Sequence, residues 1–473
     1  MAKTDLTRLN ECREALELAM VHASPAPTLA LGTHDPFLAI SVLQKALRRA
    51  DSYQAHAAAN TLLAIDRTRF WRRLAVIAFE DFGLSDIAVT AEIVAAASDH
   101  RWRQRAGGDP VVAHHLIDKL LRLPCDRSLD HLYSIAQGAR TNPFLLQSLE
   151  DASPQLRLLL DRVRAVLAQC ERPVPGKSFR SVQPRPADAA LTAMAQEGIL
   201  QPALFEICRQ GRQTSQCALP ILLPLFNAAS KAASHQAGIA TVALGSARTI
   251  AGIPSYAIGG HTTSGRAVLA SVLRTDRTLQ SLLRTAKGTK PLDAFASLLF
   301  LVEGGRSARE LDDPFRADIR RMAQGCLTGL APATLQDAVR HVEALLPQVD
   351  RTRERLFSAR TIGARALTGR PPARKTAAIP KALGENRRAP ASGRGAGTQS
   401  AQSAAFWQDA PTSPKVVNSR VKSRQHAASL CDWRARLGAM DGAYADNTIR
   451  SYRADFAIFE AWCQWPEPHL SSV

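Results

Sequence analysis

The stretch Arg69-Phe-Trp-Arg-Arg-Leu-Ala-Val-Ile-Ala-Phe-Glu-Asp-Phe-Gly-Leu-Ser-Asp86 determines the fold class of this chain. Its apolar residues recur at spacings of three and four, which places them on one face of a helix. Gly83 suits the left-handed conformation just past a helix end, and Ser85 or Asp86 can accept hydrogen bonds from the first N–H groups of a second helix. Residues 87–97 are rich in alanine. We therefore predict a helical hairpin that buries both apolar faces.

Two acidic residues, Glu80 and Asp81, stand in the last turn of the first predicted helix. The negative end of the helix dipole disfavours carboxylates at this position. The pair could contact a partner or hold a neighbouring arginine, or it could form a salt bridge to a basic residue of the bundle. We expect the salt bridge.

Helical periodicity continues along most of the chain, and the sequence predicts an all-α protein. We expect a helical domain at residues 1–170 and a second helical block at 187–357. Residues 171–186 contain four prolines and indicate a connector. Within the two blocks we predict helices at 110–123, 154–170, 282–301, 316–330 and 335–346, with the residues Asp35-Pro36 starting another.

Residues 360–425 have a different composition, dominated by Pro, Ser, Gly, Ala and Arg, with Glu385 and Asp409 as the only acids. Such a segment cannot bury enough apolar surface to offset its chain entropy, so we predict a disordered basic linker. It could hold polyanions loosely, or it could be a solvated tether without a partner. Residues 426–473 return to a helical pattern.

The whole chain is basic, with 60 Lys+Arg against 42 Asp+Glu, a net charge of +18 and a pI near 10.1. This balance favours a polyanionic partner, with nucleic acid first, although a bacterial protein from a GC-rich genome, where arginine is common, would have the same composition. The sequence shows neither a secretory apolar core nor an apolar run of about 18 residues, so we expect a cytoplasmic protein with no membrane contact. The eight cysteines lack metal or redox spacing, and we expect reduced, mostly buried thiols.

Few residues indicate chemistry. The triplet Gly176-Lys-Ser has Glu171 where a phosphate loop needs glycine, so we expect no nucleotide site and no cofactor. His114 and His115 lack the acid–histidine spacing of a zinc helix, so we expect no metal. We find no spacing that assembles a catalytic Ser/His/Asp or Cys/His set, so we expect no catalytic residues and no enzyme.

His261 lies in a glycine-rich loop, residues 253–265, that leads into a predicted helix at 266–273. A loop that starts a helix has free amide groups and can hold an anion. The loop could therefore bind an anion or nucleic acid, it could be purely structural, or His261 could serve an enzyme.

The last predicted helix carries a polar cap and two arginines, Arg450 and Arg453, which could clasp phosphates or enter a major groove. The segment Asn447-Thr-Ile-Arg-Ser-Tyr-Arg-Ala-Asp-Phe-Ala-Ile-Phe-Glu-Ala-Trp-Cys463 resembles the start of the core-binding domain of tyrosine recombinases, the phage-type integrases. Ile449 replaces the usual leucine, a change that conserves volume.

That resemblance implies a SAM-like helical unit that clamps double-stranded DNA. The DNA-binding residues expected from the resemblance and the helix cap are Asn447, Thr448, Arg450, Tyr452 and Arg453. The sequence ends at Val473, before the family's catalytic domain, so we expect a truncated core-binding unit of mobile-element origin without recombinase chemistry.

Residues 36–97, with Leu43-Gln-Lys-Ala-Leu-Arg-Arg49 and the opening stretch, are similar to the helical C-terminal region of clamp-loader-like AAA+ ATPases of the replication fork. This resemblance implies a helical scaffold that self-associates, without ATP hydrolysis. Two hypotheses follow. The first is a non-catalytic DNA-binding protein related to DNA integration and recombination. The alternative is a self-associating scaffold, a homo-oligomer that serves as an accessory protein of DNA replication or repair without its own DNA site.

Overall fold

Aspartate side chains begin most of the helices in the first half of the chain. The computed structural model describes residues 7–21, 27–138, 148–173, 182–184, 188–233 and 236–368. Asp35, Asp51, Asp66, Asp86 and Asp99 each accept a hydrogen bond from an N–H group in the first turn of the next helix. These caps satisfy donors that a helix leaves unpaired, and they set the boundaries between neighbouring helices.

The described part of the chain is predominantly helical, so the predicted all-α class is confirmed. The helices of the first half are α1 Thr7–Met20, α2 Pro36–Arg48, α3 Ser52–Ile65, α4 Arg67–Asp81, α5 Ile87–Ser98, α6 His100–Arg105, α7 Asp109–Arg122, α8 Ser128–Gly138 and α9 Pro154–Cys170. Those of the second half are α10 Asp188–Gln196, α11 Pro202–Ser215, α12 Leu219–Ala232, α13 Thr263–Thr275, α14 Arg277–Leu283, α15 Pro291–Leu299, α16 Pro314–Thr328 and α17 Pro332–Thr368.

Short antiparallel strand pairs connect some of these helices. Strands β1 Glu171–Pro173 and β2 Val182–Pro184 pair within the predicted connector. Strand β3 Gly238–Thr241 pairs with β6 Arg309–Asp312, and β4 Thr249–Ile250 pairs with β5 Ile253–Pro254. None of these strands is predicted from the sequence, because each contains two to four residues and shows no alternating pattern long enough to recognise.

The predicted hairpin is α4 followed by α5. Gly83 has a φ of +35°, and a Cβ at this position would stand 3.0 Å from the carbonyl oxygen of Asp126. Glycine is therefore required by both the backbone conformation and the close approach. Of the two predicted caps, Asp86 is the one used: its carboxylate accepts from the N–H groups of Ala88 and Val89. Ser85 instead donates its hydroxyl to the carbonyl of Pro124 at 2.6 Å.

Three hydrophobic cores hold the helices together. The first joins α1, α5, α8 and α9 to α10, α11, α12 and α16. The second is formed by α2, α3, α4, α5 and α7 with residues 250–258. The third contains α13, α14, α15 and α17. Residues from both predicted blocks share the first core, and all the described residues lie in one compact unit, Met1–Lys375.

One predicted helix was wrong. The sequence predicts a single helix at 282–301, but α14 ends at Leu283 and α15 begins at Pro291. Gly288 between them has a φ of +70°, and Pro291 fixes the start of the second helix. After Leu299 the chain continues into a π-helical turn, Phe300–Gly304, called the π-turn below.

The last helix, α17, runs to Thr368 and so continues past Arg360, where the sequence predicts the start of a linker. The rest of that predicted linker, the predicted core-binding unit at 426–473 and the triplet Gly176-Lys-Ser lie outside the described residues. Among the described cysteines, Cys12, Cys125, Cys170 and Cys208 are buried, as predicted. No helix in the described part is both long and apolar enough to cross a membrane.

Two helix glycines test how tightly the helices pack. A Cβ on Gly211 of α11 would stand 2.6 Å from a ring atom of Phe79, whereas a Cβ on Gly325 of α16 meets nothing within 4 Å. We predict that Gly211→Ala lowers the free energy of unfolding by about 1–3 kcal/mol through overpacking. Gly325→Ala should be neutral or stabilising by up to about 1 kcal/mol. Urea unfolding measures the free energy of unfolding of both variants. Equal changes would contradict the close packing of Gly211 against Phe79.

Candidate functional site

A buried ion cluster joins α2 to the end of α4. The Asp81 carboxylate, fully buried, accepts from Arg48 Nε at 2.6 Å and from Gln44 Nε2 at 2.7 Å. Arg127, at the start of α8, places its Nε 3.5 Å from the same carboxylate. Burial raises the pKa of Asp81, and Arg48 and Arg127 oppose that rise. Burial also acts to lower the pKa of Arg48, but Asp81 and Glu80 outweigh it, so the pKa of Arg48 is raised.

Glu80 extends this cluster towards the surface. Its carboxylate lies 3.4 Å from Arg48, 3.4 Å from Arg73 and 2.8 Å from the amide of Gln44. The expected salt bridge to basic residues of the bundle is therefore confirmed for both acids. A carboxylate at a helix C-terminus is tolerated here because guanidinium groups outweigh the unfavourable helix dipole.

The π-turn closes the other side of the cluster. Arg48 donates to the carbonyl of Gly304 at 3.2 Å, and its guanidinium lies 5.2 Å from the ring centroid of Phe300. Arg127 lies 4.9 Å from the same centroid. One aromatic ring therefore contacts two cations, a favourable arrangement for groups removed from water.

A small cavity lies between α2 and the π-turn, and it is the candidate functional site. Its volume is about 10 Å³, room for about one water molecule. Its lining includes Lys45, Tyr256, Gly259, His261, Phe300, Glu303 and Gly304. The cavity therefore joins the predicted His261 loop to the ion cluster.

Lys45 is the buried amine of this cavity. Its Nζ donates to the carbonyl of Tyr256 at 2.9 Å. Burial lowers the pKa of Lys45 to about 7; Glu303 opposes that shift, and Arg48 and Arg353 add to it. Close to neutral pH the amine is therefore partly uncharged, unlike an ordinary lysine.

Glu303, which lies on the π-turn, is held by α17. Arg353 is fully buried and donates to Glu303 at 2.7 Å and 3.1 Å. Ser255 donates to the same carboxylate at 3.1 Å. Arg353 also donates to the carbonyl of Ile258 at 2.8 Å and to Asp350 at 2.7 Å. Glu303 is thus a fixed anion, positioned by partners on both sides.

The predicted His261 loop is built as a helix start. Thr262 caps α13 by accepting from the N–H group of Gly265 at 3.0 Å. His261 is exposed and meets the Phe300 ring edge-on, with centroids 5.9 Å apart. Arg266, the first residue of the helix predicted at 266–273, is paired with Asp293 at 2.9 Å. Anion binding by this loop stays a prediction.

His114 and His115, for which we expected no metal, lie on α7, and His114 contacts His56 of α3. His56 and His114 meet through their Nδ1 atoms, while His56 Nε2 lies 3.0 Å from Asp118 and His114 Nε2 lies 2.7 Å from Asn60. Burial, aided by His56, lowers the pKa of His114 to about 4. Within the described ranges no three potential ligands are grouped for a metal ion.

The predicted DNA-binding residues, Asn447, Thr448, Arg450, Tyr452 and Arg453, lie outside the described residues. Lys45, Glu303 and Arg353 are not among the site residues predicted from the sequence. The only signal was in α2, where Gln44, Lys45 and Arg48 interrupt an apolar helix, and the structure buries all three. Lys45 contacts Tyr256 and Arg48 contacts Gly304, each more than 200 residues away, so spacing along the chain could not reveal these contacts.

The chain matches no protein family, and neither a curated protein nor a solved structure is similar to it at a significant level. Function must therefore be argued from its own residues.

The ion cluster predicts unequal roles for two neighbouring acids. Asp81→Asn leaves buried arginines without their charge partner and should lower the free energy of unfolding by about 3–5 kcal/mol. The matched Glu80→Gln change affects a carboxylate that retains some contact with water and should cost about 1 kcal/mol or less. Urea unfolding at pH 7 measures both. Equal losses would show that Asp81 is not the centre of the cluster.

Lys45 predicts a pH dependence of stability. Between pH 7 and 10.5 the unfolded chain keeps a proton on this amine that the folded chain loses. Stability contributed by the neutral amine is therefore full above pH 10.5 and is lost as the pH falls towards 7. The difference in unfolding free energy between wild type and Lys45→Met should shift by a few kcal/mol across that window, at about 1.4 kcal/mol per pH unit.

The exposed Lys287 supplies the control, because Lys287→Met should leave the same difference unchanged with pH. If the difference in unfolding free energy between wild type and Lys45→Met does not change with pH either, the Lys45 amine is not neutral in the folded protein.

Proposed function

We propose that this chain is a non-catalytic, DNA-associated protein of mobile-element origin. Its affinity for double-stranded DNA would reside in residues 360–473, and its folded unit would serve as a scaffold. The observation that supports this proposal most strongly is the distribution of positive charge along the chain.

Positive charge is concentrated in residues 360–425. This segment has thirteen Lys and Arg residues against two acids, so it carries eleven of the eighteen net positive charges. The remaining net charge is spread over a far longer length of chain. A dense run of cations releases counterions from the DNA phosphates, which gives affinity without base recognition.

Five buried arginines of the folded unit are engaged within it. Arg48, Arg103, Arg127, Arg316 and Arg353 are all buried and each pairs with a carboxylate. A buried guanidinium that holds an acid has little capacity to reach a phosphate, and withdrawing it would leave the acid unpaired. In this proposal DNA is therefore bound by the dense run of Lys and Arg in residues 360–425 and not by these buried arginines.

Residues 426–473 contribute differently, because they hold four arginines against six acids and are therefore not basic. Their role in the proposal rests on the resemblance to a core-binding domain. Asn447, Thr448 and Tyr452 would position the helix on the backbone, and Arg450 and Arg453 would contact phosphates or base edges.

The proposal predicts that substitutions in residues 360–425 and in the last predicted helix weaken DNA binding to different extents, and binding to duplex DNA measures both effects. In the full-length chain, replacing all thirteen Lys and Arg residues of 360–425 by Gln should weaken binding at least about tenfold and flatten its salt dependence. The pair Arg450→Gln and Arg453→Gln should lower the salt slope by about two phosphate contacts. Fluorescence anisotropy of a labelled duplex across a salt series gives affinity and slope together.

The control for that series is Arg157→Gln with Arg162→Gln, two exposed arginines of α9 that should not change binding. The proposal is wrong if the wild-type protein does not bind DNA in a buffer of low ionic strength. It is also wrong if the variant with Gln in place of the thirteen Lys and Arg of 360–425 binds as tightly as wild type.

The alternative is a self-associating scaffold, and exposed apolar side chains near the end of α1 favour it. Leu18 and Val21 are 76% and 70% exposed, beside a shallow groove lined by Glu17, Met20 and Arg105. Contiguous exposed apolar surface often marks a protein contact. Light scattering of the full-length chain, in salt that suppresses DNA binding, distinguishes the two: a defined oligomer supports the scaffold, and a monomer opposes it.

A further inference from the structure

Helices α13 and α17 lie side by side at the surface of the folded unit. Arg355 of α17 donates to the hydroxyl of Ser271 on α13 at 3.4 Å. Gln348 of α17 donates to the hydroxyl of Thr275 on α13 at 3.5 Å. Because the later residue of α17 meets the earlier residue of α13, the two helices run antiparallel along this junction.

Three exposed arginines line the outer side of the junction. Arg274 comes one helical turn after Ser271, and Arg351 comes one turn before Arg355, so helical spacing places them beside the two contacts. Residues Arg274, Arg351 and Arg355 are all exposed, and together they are called the arginine seam below. In the described part of the chain, no salt bridge involves a seam arginine.

The acids nearest to the seam in sequence are held by other groups. They are Glu354, 3.1 Å from Arg248; Asp276, 3.0 Å from His341; and Asp350, 2.7 Å from Arg353. Glu343 is exposed, but it precedes Arg351 by eight residues, about 12 Å along a helix axis. That separation exceeds the Debye length of about 8 Å at physiological salt, so this acid neutralises the seam only weakly.

Other exposed arginines of the same helices differ from the seam. Arg266 pairs with Asp293, and Arg340 pairs with Asp337. The seam also has a particular place along the chain. Helix α17 continues from it to Thr368 and so enters the basic segment 360–425, to which the proposed function assigns DNA affinity.

We propose that the arginine seam is a contact surface of the folded unit for the phosphate backbone of double-stranded DNA. The inference rests on the proposed function, because it adds a surface to the same binding event. Unpaired guanidinium groups bind phosphate oxygens through charge-assisted hydrogen bonds. The seam would contribute about three phosphate contacts and no base recognition.

The test measures binding of the full-length chain to a labelled duplex by fluorescence anisotropy across a salt series. The triple variant Arg274→Gln, Arg351→Gln and Arg355→Gln should bind at least about fivefold more weakly at low salt. Its plot of log affinity against log salt should be shallower by about 2.7, since each phosphate contact contributes about 0.9. Circular dichroism checks that the variant folds.

The matched control removes the same charge from exposed arginines of α6 and α9. Its substitutions are Arg101→Gln, Arg157→Gln and Arg162→Gln, and it should keep the wild-type slope. A wild-type slope in the seam variant, or an equal loss of slope in the control, would overturn the inference.

Failure of the seam can be told apart from failure of the proposed function. If the seam variant binds as wild type while the variant substituted throughout 360–425 loses affinity, only the seam is wrong. If the wild-type chain does not bind DNA at low ionic strength, both are wrong.

Discussion

The pairing of Arg48 with the buried carboxylate of Asp81 is the constraint on which the rest of the folded unit depends. Two groups removed from water in this way are tolerated only if every remaining donor and acceptor finds a partner. Gln44 and Arg127 supply further partners for Asp81, and the carbonyl of Gly304 supplies one for Arg48. Helices far apart in sequence must therefore meet at one point, which selects a single packing arrangement.

The π-turn follows from the same constraint. It presents Phe300 to two guanidinium groups, Glu303 to Arg353 and the Gly304 carbonyl to Arg48. An ordinary α-helical turn has one residue fewer between hydrogen-bonded backbone groups. It would not direct the Phe300 ring, the Glu303 carboxylate and the Gly304 carbonyl towards their partners at the same time. Insertions of this kind are frequent at functional sites, and here the turn also leaves space beside a buried lysine.

Local rules predicted the features that depend on neighbouring residues. Gly83 and Asp86 could be assigned from the sequence because helix termination and capping are decided within a few residues. The break at Gly288 was missed because apolar periodicity continues on both sides of it. The cavity could not be predicted, since Lys45 meets Tyr256 and Gly304 only when distant segments fold together. The predicted pairing of Asp81 gave the type of contact, but its partners Arg48 and Arg127 appeared only in the structure.

The central claim is that the buried arginines of the folded unit, Arg48 first among them, are paired with internal acids. A double-mutant cycle between Arg48→Met and Asp81→Leu, followed by urea unfolding, tests it most directly. The account predicts a coupling energy of at least about 1 kcal/mol, because each single change leaves a buried charge that the double change removes. Losses that add to within about 0.3–0.5 kcal/mol would show that the two side chains do not interact, and would contradict the account.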